Sequence, residues 1–252
     1  MYAAKKKKSL WLQADGHRIF AEVRSRTAWT IALALIGSCL LALPARADLI
    51  TNGSFESPLA PVGGFSNFNS GSTGITGWTV VGPQVSIVSG SYTSFGLTFP
   101  AEDGNQWLDL TGDVSNNVEG VEQTVATTPG ATYNLSYFVG NQVNPGGPYG
   151  TTSTVKVFVD GTLIQTSTNS LGAGGKTQVW EPFSTSFAAA SASTTLEFQN
   201  ADPSTDNTNG LDNVVLTQGA ATATPEPSTF FMLSAALFTL GSLVIRRRVV
   251  LQ

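Results

Sequence analysis

Ten short runs in which apolar and polar residues alternate, separated by clusters of Gly, Asn, Pro and Ser, fill residues 78 to 217 of this 252-residue chain. Successive side chains of a strand point to opposite faces, so a period of two marks a strand with one face in a core, where a helix would repeat every 3.6 residues. The runs are Trp78 to Val81, Val85 to Val88, Gln106 to Leu110, Val118 to Val125, Thr132 to Val139, Val155 to Val159, Leu163 to Thr166, Thr177 to Phe187, Thr194 to Gln199 and Leu211 to Thr217. No helical period longer than two turns precedes the C-terminal tail, which predicts an all-β antiparallel sandwich. Tyr133, Leu135, Tyr137 and Val139 share one face, and Val155, Val157 and Val159 share another with Lys156 pointing away. Asp160-Gly161 marks a tight hairpin, since its Gly accepts positive φ.

Both ends differ from this β texture. Lys5 to Lys8, Arg18, Arg24 and Arg26 precede an apolar stretch from Ala28 to Leu43 and then Ala45-Arg46-Ala47, the small-x-small pattern of a signal-peptidase site. Residues 1–47 therefore read as a signal peptide with a helical apolar segment, and the mature chain is expected to begin at Asp48. A lipoprotein cut ahead of Cys39 competes, but the apolar residues and the Ala-x-Ala site that follow it favour the later cut. Residues 48–219 make the β domain, and 220–227 a spacer ending in Pro225-Glu226-Pro227. Residues 228–245 carry no charge and span about 27 Å as a helix, enough for one short transmembrane segment. Arg246, Arg247 and Arg248 open a basic tail, 246–252, which places that end in the cytoplasm and the β domain across the inner membrane.

Charge and missing chemistry narrow the function. Between 48 and 224 there are two cations, Lys156 and Lys176, against fourteen acids, a net charge of 2 − 14 = −12, with no Arg. Such a surface repels phosphate backbones, so nucleic acid is excluded as a partner. The one His, His17, and the one Cys, Cys39, both precede the expected cut. Serine-histidine and cysteine-histidine nucleophilic catalysis and His/Cys zinc sites are thereby excluded from the mature domain. Carboxylates remain for chemistry, with Glu102, Asp103, Asp109, Glu119 and Glu122 as candidates for a glycosidase-like acid pair or a hard-cation site. The plainer reading is a solvated acidic surface.

The tail, Pro225-Glu226-Pro227 followed by an apolar span and three arginines, resembles the PEP-CTERM sorting signal of Gram-negative bacteria. That resemblance implies processing by exosortase near Pro-Glu-Pro, after transient anchoring in the inner membrane, and release to the cell surface or extracellular matrix. Asn52-Gly53-Ser54-Phe55-Glu56, Gly77-Trp78, Trp107-Leu108-Asp109-Leu110, Val121-Glu122-Gln123-Thr124-Val125 with Pro129-Gly130 and Tyr133, and Leu211-Asp212-Asn213-Val214 resemble galactose-binding-like jelly rolls. Within that group they are most similar to choice-of-anchor domains of secreted bacterial proteins and to plant cell-wall families. The resemblance implies a jelly roll that binds carbohydrate or attaches to a matrix and is not an enzyme. It also implies a structural calcium between Glu56 and Asp212, although Asn213 stands where a second Asp is common. The alternative for Glu56 and Asp212 is to tie the terminal strands by hydrogen bonds, with no cofactor.

For sugar binding, a flat ring beside a carboxylate is the economical arrangement, because sugar C–H groups stack on aromatic faces. If Leu108 and Leu110 point into the core, Trp107 and Asp109 lie on the opposite face, where an exposed Trp107 would meet solvent. Trp78 shares a face with Val80 and reads as core, and Trp180 is ambiguous because Pro182 follows it. Tyr149, on the Gly/Pro-rich loop 140–152, is placed to cover a ligand. Asp202 and Asp206 lie in a loop without calcium-loop spacing and read as turn formers. Extracellular polysaccharide is therefore the expected partner beside signal peptidase and exosortase; a matrix protein with no ligand site is the alternative, and a carboxylate glycosidase follows it.

Overall fold

The computed structural model describes residues 47–112 and 118–220. Residues 1–46, Ala45 among them, the Pro225-Glu226-Pro227 motif, the span 228–245 and Arg246 to Arg248 lie outside the described residues, while Ala47 is within them. Thirteen strands form among those described: β1 Phe65–Asn69, β2 Thr79–Val81, β3 Gln84–Ser89, β4 Thr93–Ser94, β5 Leu97–Thr98, β6 Gln106–Asp109, β7 Gly120–Ala126, β8 Thr132–Asn141, β9 Ser153–Val159, β10 Thr162–Asn169, β11 Val179–Ala188, β12 Ser193–Asn200 and β13 Gly210–Gln218. All ten alternating runs are strands. The additional ones are β1 and the small hairpin β4–β5.

Two antiparallel sheets carry the fold, one in the order β1-β3-β6-β13-β8-β11 and the other β10-β9-β12-β7-β2. The last eight strands, β6 to β13, divide between the sheets as β6-β13-β8-β11 and β10-β9-β12-β7. That is the strand order of a jelly roll, with β1 and β3 added beyond β6 and β2 beyond β7. The β9–β10 hairpin turns on Asp160 (φ 48°) and Gly161 (φ 76°), two consecutive left-handed residues that match the twist of the paired strands. Pro182 sits on β11, the outermost strand of its sheet, where a missing N–H leaves no inner ladder bond broken.

Alternation decides what lies between the sheets. Val155, Val157, Leu196, Phe198 and Val121 from one sheet meet Ile87, Leu108, Tyr137, Val139, Leu211 and Leu216 from the other, each fully or nearly fully buried. Lys156 is half-buried beside its buried Val neighbours, as the alternation requires. Trp78 is buried and packs on Phe55 with ring centroids 5.3 Å apart. Asp48 and Leu49 are tied to the last strand: the Asp48 Oδ1 accepts the Leu216 N–H at 2.9 Å, and the Leu49 N–H reaches the Leu216 carbonyl at 2.9 Å.

Candidate functional site

The site begins with the pleat of β6. Leu108 turns inward, so Trp107 and Asp109 share the outer face of the six-stranded sheet. Register aligns one residue from each strand across that face: Asn67, Ser86, Asp109, Gly210, Gly140 and Trp180. The two glycines are required there, because a Cβ on Gly140 or Gly210 would come within 2.8 or 2.9 Å of the Trp180 ring. Trp180 thereby lies flat enough over the middle of the row to meet Trp107 edge-on, at 5.9 Å between centroids.

Trp107 is not exposed. It is 1% accessible, and its indole N–H donates to the Phe99 carbonyl at 3.1 Å. The β4–β5 hairpin and Tyr149 fold over it, giving a second small core of Val88, Leu97, Phe99, Trp107 and Tyr149 outside the sandwich. The expectation of a solvent-facing Trp107 assumed that the outer face was bare. Its covering is the stretch 92–100, where apolar residues do not alternate for long enough to register as strands.

Between this covering and the sheet is a cleft of about 240 Å³. It brings together all three residues expected to hold sugar, Trp107, Asp109 and Tyr149, with Tyr92, Phe95 and Phe99. Ring contacts are continuous: Tyr92 to Phe99 at 5.4 Å, Phe99 to Tyr149 at 5.1 Å and Phe95 to Tyr149 at 6.2 Å. Phe95 is the residue that sequence reasoning missed. It is 78% exposed at the hairpin tip and holds φ at 52°, followed by Gly96 at 75°. Left-handed backbone is unfavourable for a residue with a bulky side chain, and Asn or Gly is usual in such a turn. The Phe95-Gly96 pair preceding a short apolar run was the signal available.

Asp109 forms part of the cleft lining with its carboxylate held at one oxygen. Its Oδ1 accepts the Thr111 N–H at 3.0 Å, the Thr111 hydroxyl at 2.8 Å and the Asn209 N–H at 3.1 Å. Burial raises its pKa to about 7 against these three bonds, with Glu119 adding a like charge. Behind it Asp202 and Asp206 are buried too, so these are more than turn formers. Burial and the neighbouring Asp206 push Asp202 up to about 9, and burial pushes Asp206 up to about 7. Asp206 anchors the neighbouring loop: its Oδ2 occupies the place of a Cβ on Gly150, and the Asn207 N–H donates to the Pro148 carbonyl at 2.8 Å. Loop 201–209 in this way presents Tyr149 to the cleft.

Glu56 and Asp212 hold a loop. Glu56 Oε1 accepts the N–H groups of Asn105 and Gln106 at 2.7 and 3.0 Å. Asp212 Oδ2 accepts those of Glu102 and Asp103 at 2.9 and 3.1 Å, and Oδ1 that of Asn213 at 2.8 Å. The Asn213 side chain donates to Glu102 Oε2 at 2.8 Å, a bond that an Asp at that position could make only when protonated. Both carboxylates are thus tied by hydrogen bonds to the loop of residues 102–106. Among the described residues no three acidic, imidazole or thiol side chains converge on a cation position.

A family model described as "Protein of unknown function (DUF642)" matches residues 48–217. No curated protein matches the sequence. Among solved structures, a Stig cyclase, Fisc, from Fischerella sp. TAU is 18% identical and superposes at TM-score 0.50 over 71% of this chain and 100% of that one. A cyclase from the same source, in complex with an indolyl butanone, does so at 0.52 with the same identity and coverage. A family 22 carbohydrate binding module of Clostridium thermocellum Xyn10B is 16% identical, with TM-score 0.43 over 69% of this chain and 97% of that one. The likeness to the cyclases is one of fold.

Proposed function

This chain belongs to the DUF642 family, and from that premise we propose that its β domain is a non-catalytic, exported module that binds polysaccharide in the aromatic cleft over Trp107. The observation that carries the reading is Phe95. An exposed phenylalanine at positive φ costs stability of order 1 kcal/mol, and in a folded protein such strain concentrates where a side chain must be presented to a ligand. Phe95 projects at the cleft mouth beside Tyr149, while Asp109, Asn207 and Thr208 supply polar groups within. Flat faces for sugar C–H groups with a few fixed hydrogen-bonding atoms are what carbohydrate recognition needs.

Export and sorting rest on the terminal signals. Cleavage after Ala47 releases a chain whose first residue is already bonded to the last strand, and processing near Pro225-Glu226-Pro227 leaves a short spacer after β13. The non-catalytic reading is supported by Asp109 being the one carboxylate among the described residues that lines the cleft, since hydrolysis of a glycosidic bond uses two across it. Affinity electrophoresis through gels containing a panel of soluble polysaccharides tests the function. Retardation by at least one polysaccharide, lost in Phe95→Asn, is the expected result. Unretarded migration in every gel would leave a matrix protein without a ligand site.

A further inference from the structure

The charge around the cleft selects among saccharides, given the reading of the cleft as a glycan site. Six aromatic residues line it, Phe65, Tyr92, Phe95, Phe99, Trp107 and Tyr149. Ring faces carry the negative end of the aromatic quadrupole and attract cations that lie over them. The carboxylate of Asp109 shares the same space, and its three hydrogen bonds on Oδ1 fix its orientation. Neither Lys156 nor Lys176, the two cations between 48 and 224, lines the cleft. Glu119 raises the pKa of Asp109, and Asp109 in turn raises those of the buried acids Asp202 and Asp206.

The result is a cleft with one lining carboxyl group, Asp109, and no cationic side chain to pair with it among the described residues. A uronic acid or a sulfated sugar brings a like charge to Asp109. A neutral sugar brings hydroxyl donors to the second carboxylate oxygen, which hydrogen-bond it without offsetting its charge. A protonated amine satisfies both features, pairing with the carboxylate while its flanking C–H groups and charge rest on the rings. We propose that the cleft recognises glycans bearing free amino groups, such as de-N-acetylated amino sugars, with Asp109 as the partner of the ammonium group and Tyr149 and Phe95 covering it.

Calorimetric titration of the full chain, held in a polyoxyethylene detergent at neutral pH, tests this with three oligosaccharides of equal length. They are a glucosamine oligomer with free amines, its N-acetylated counterpart and a galacturonic acid oligomer. The expected result is binding of the free-amine oligomer about tenfold tighter than the N-acetylated one, and no detectable binding of the galacturonate. Asp109→Asn, which keeps the shape and the Oδ1 acceptor, should bring the affinity ratio close to one. Asp160→Asn, an acid on the β9–β10 turn remote in register from the outer-face row, should leave the ratio unchanged and so separates a local pairing from attraction by the net charge. Equal affinity for amine and N-acetyl forms, a preference for galacturonate, or a ratio that survives Asp109→Asn overturns the proposal while leaving polysaccharide binding in place. If no oligosaccharide binds, the proposal is overturned, and retardation in the polysaccharide gels decides separately whether the cleft holds glycan at all. Should Asp109→Asn fail to fold, the ratio measured on the unmodified chain decides alone.

Discussion

Leu108 and Trp107 are adjacent on β6 and equally hidden from water, yet they belong to different structures. Leu108 is covered by a whole second sheet, through long strands whose hydrogen-bond ladders continue across the domain. Trp107 is covered by a hairpin with two-residue strands and by a Gly/Pro-rich loop. The inner face can therefore open only by unfolding, while the outer covering has few ladder bonds to break. Low accessibility marks both faces, and the kind of cover separates a core from a site.

The comparison breaks most visibly on the inner face. Val157→Asp places an unpaired carboxylate between the sheets, a cost of several kcal/mol against a total stability of about 5–15. The domain is expected to lose its β signal in circular dichroism at room temperature. A cooperative melt like that of the unmodified domain would show that the register of β9 is wrong.

On the outer face, Trp107→Ala should cost about 3–5 kcal/mol, because the ring is buried under Phe99 and against Trp180. A solvent-facing ring would have left the melting temperature nearly unchanged, so thermal denaturation distinguishes the two placements. The inner-face replacement Val157→Ala deletes less volume and is expected to cost less than this.

Acidity tests the buried carboxylates. Asp202 is raised to about 9, Asp212 to about 8, and Asp109 and Asp206 to about 7, each chiefly by burial, from an ordinary 3.8. The folded domain thus keeps protons that the unfolded chain releases near 3.8, and stability falls as pH rises from about 4 through 9. The melting temperature should be higher at about pH 5 than at about pH 8, and Asp202→Asn should flatten the slope. A melting temperature that climbs over this range contradicts the burial of these groups.

The smallest expected effect on stability has the opposite sign. Phe95→Asn puts a residue that tolerates left-handed backbone at the hairpin tip and should stabilise the domain by up to about 1 kcal/mol while removing an exposed ring from the cleft mouth. A variant that is less stable, measured by urea denaturation, would mean that Phe95 packs as core.

The inner face was legible in the sequence because burial on one side of a long strand imposes alternation, as in Tyr133 to Val139 and Val155 to Val159. β1 was not: it is an edge strand whose residues are all at least partly exposed, so nothing forces a pattern on Phe65 to Asn69. Trp107, Asp109 and Tyr149 were legible as chemistry and do line one cleft, but their cover was not, since a hairpin with two-residue strands carries no period. Asp202 and Asp206 resembled ordinary turn residues because what they pack against is distant in sequence, Thr154 on β9 for Asp202 and Gly150 in the 140–152 loop for Asp206.

The most direct test of the outer face as the binding face uses the three tryptophans of the domain, Trp78, Trp107 and Trp180. Trp78 is in the sandwich and donates its indole N–H to Asn52; Trp107 and Trp180 meet on the outer face and donate theirs to Phe99 and Pro100. In a ¹⁵N-labelled domain of residues 48–220 titrated with a retained polysaccharide fragment, the indole N–H resonances of Trp107 and Trp180 should shift saturably and that of Trp78 should stay in place. Movement of Trp78 alone, or saturable binding with neither Trp107 nor Trp180 affected, would place the ligand elsewhere and contradict the account.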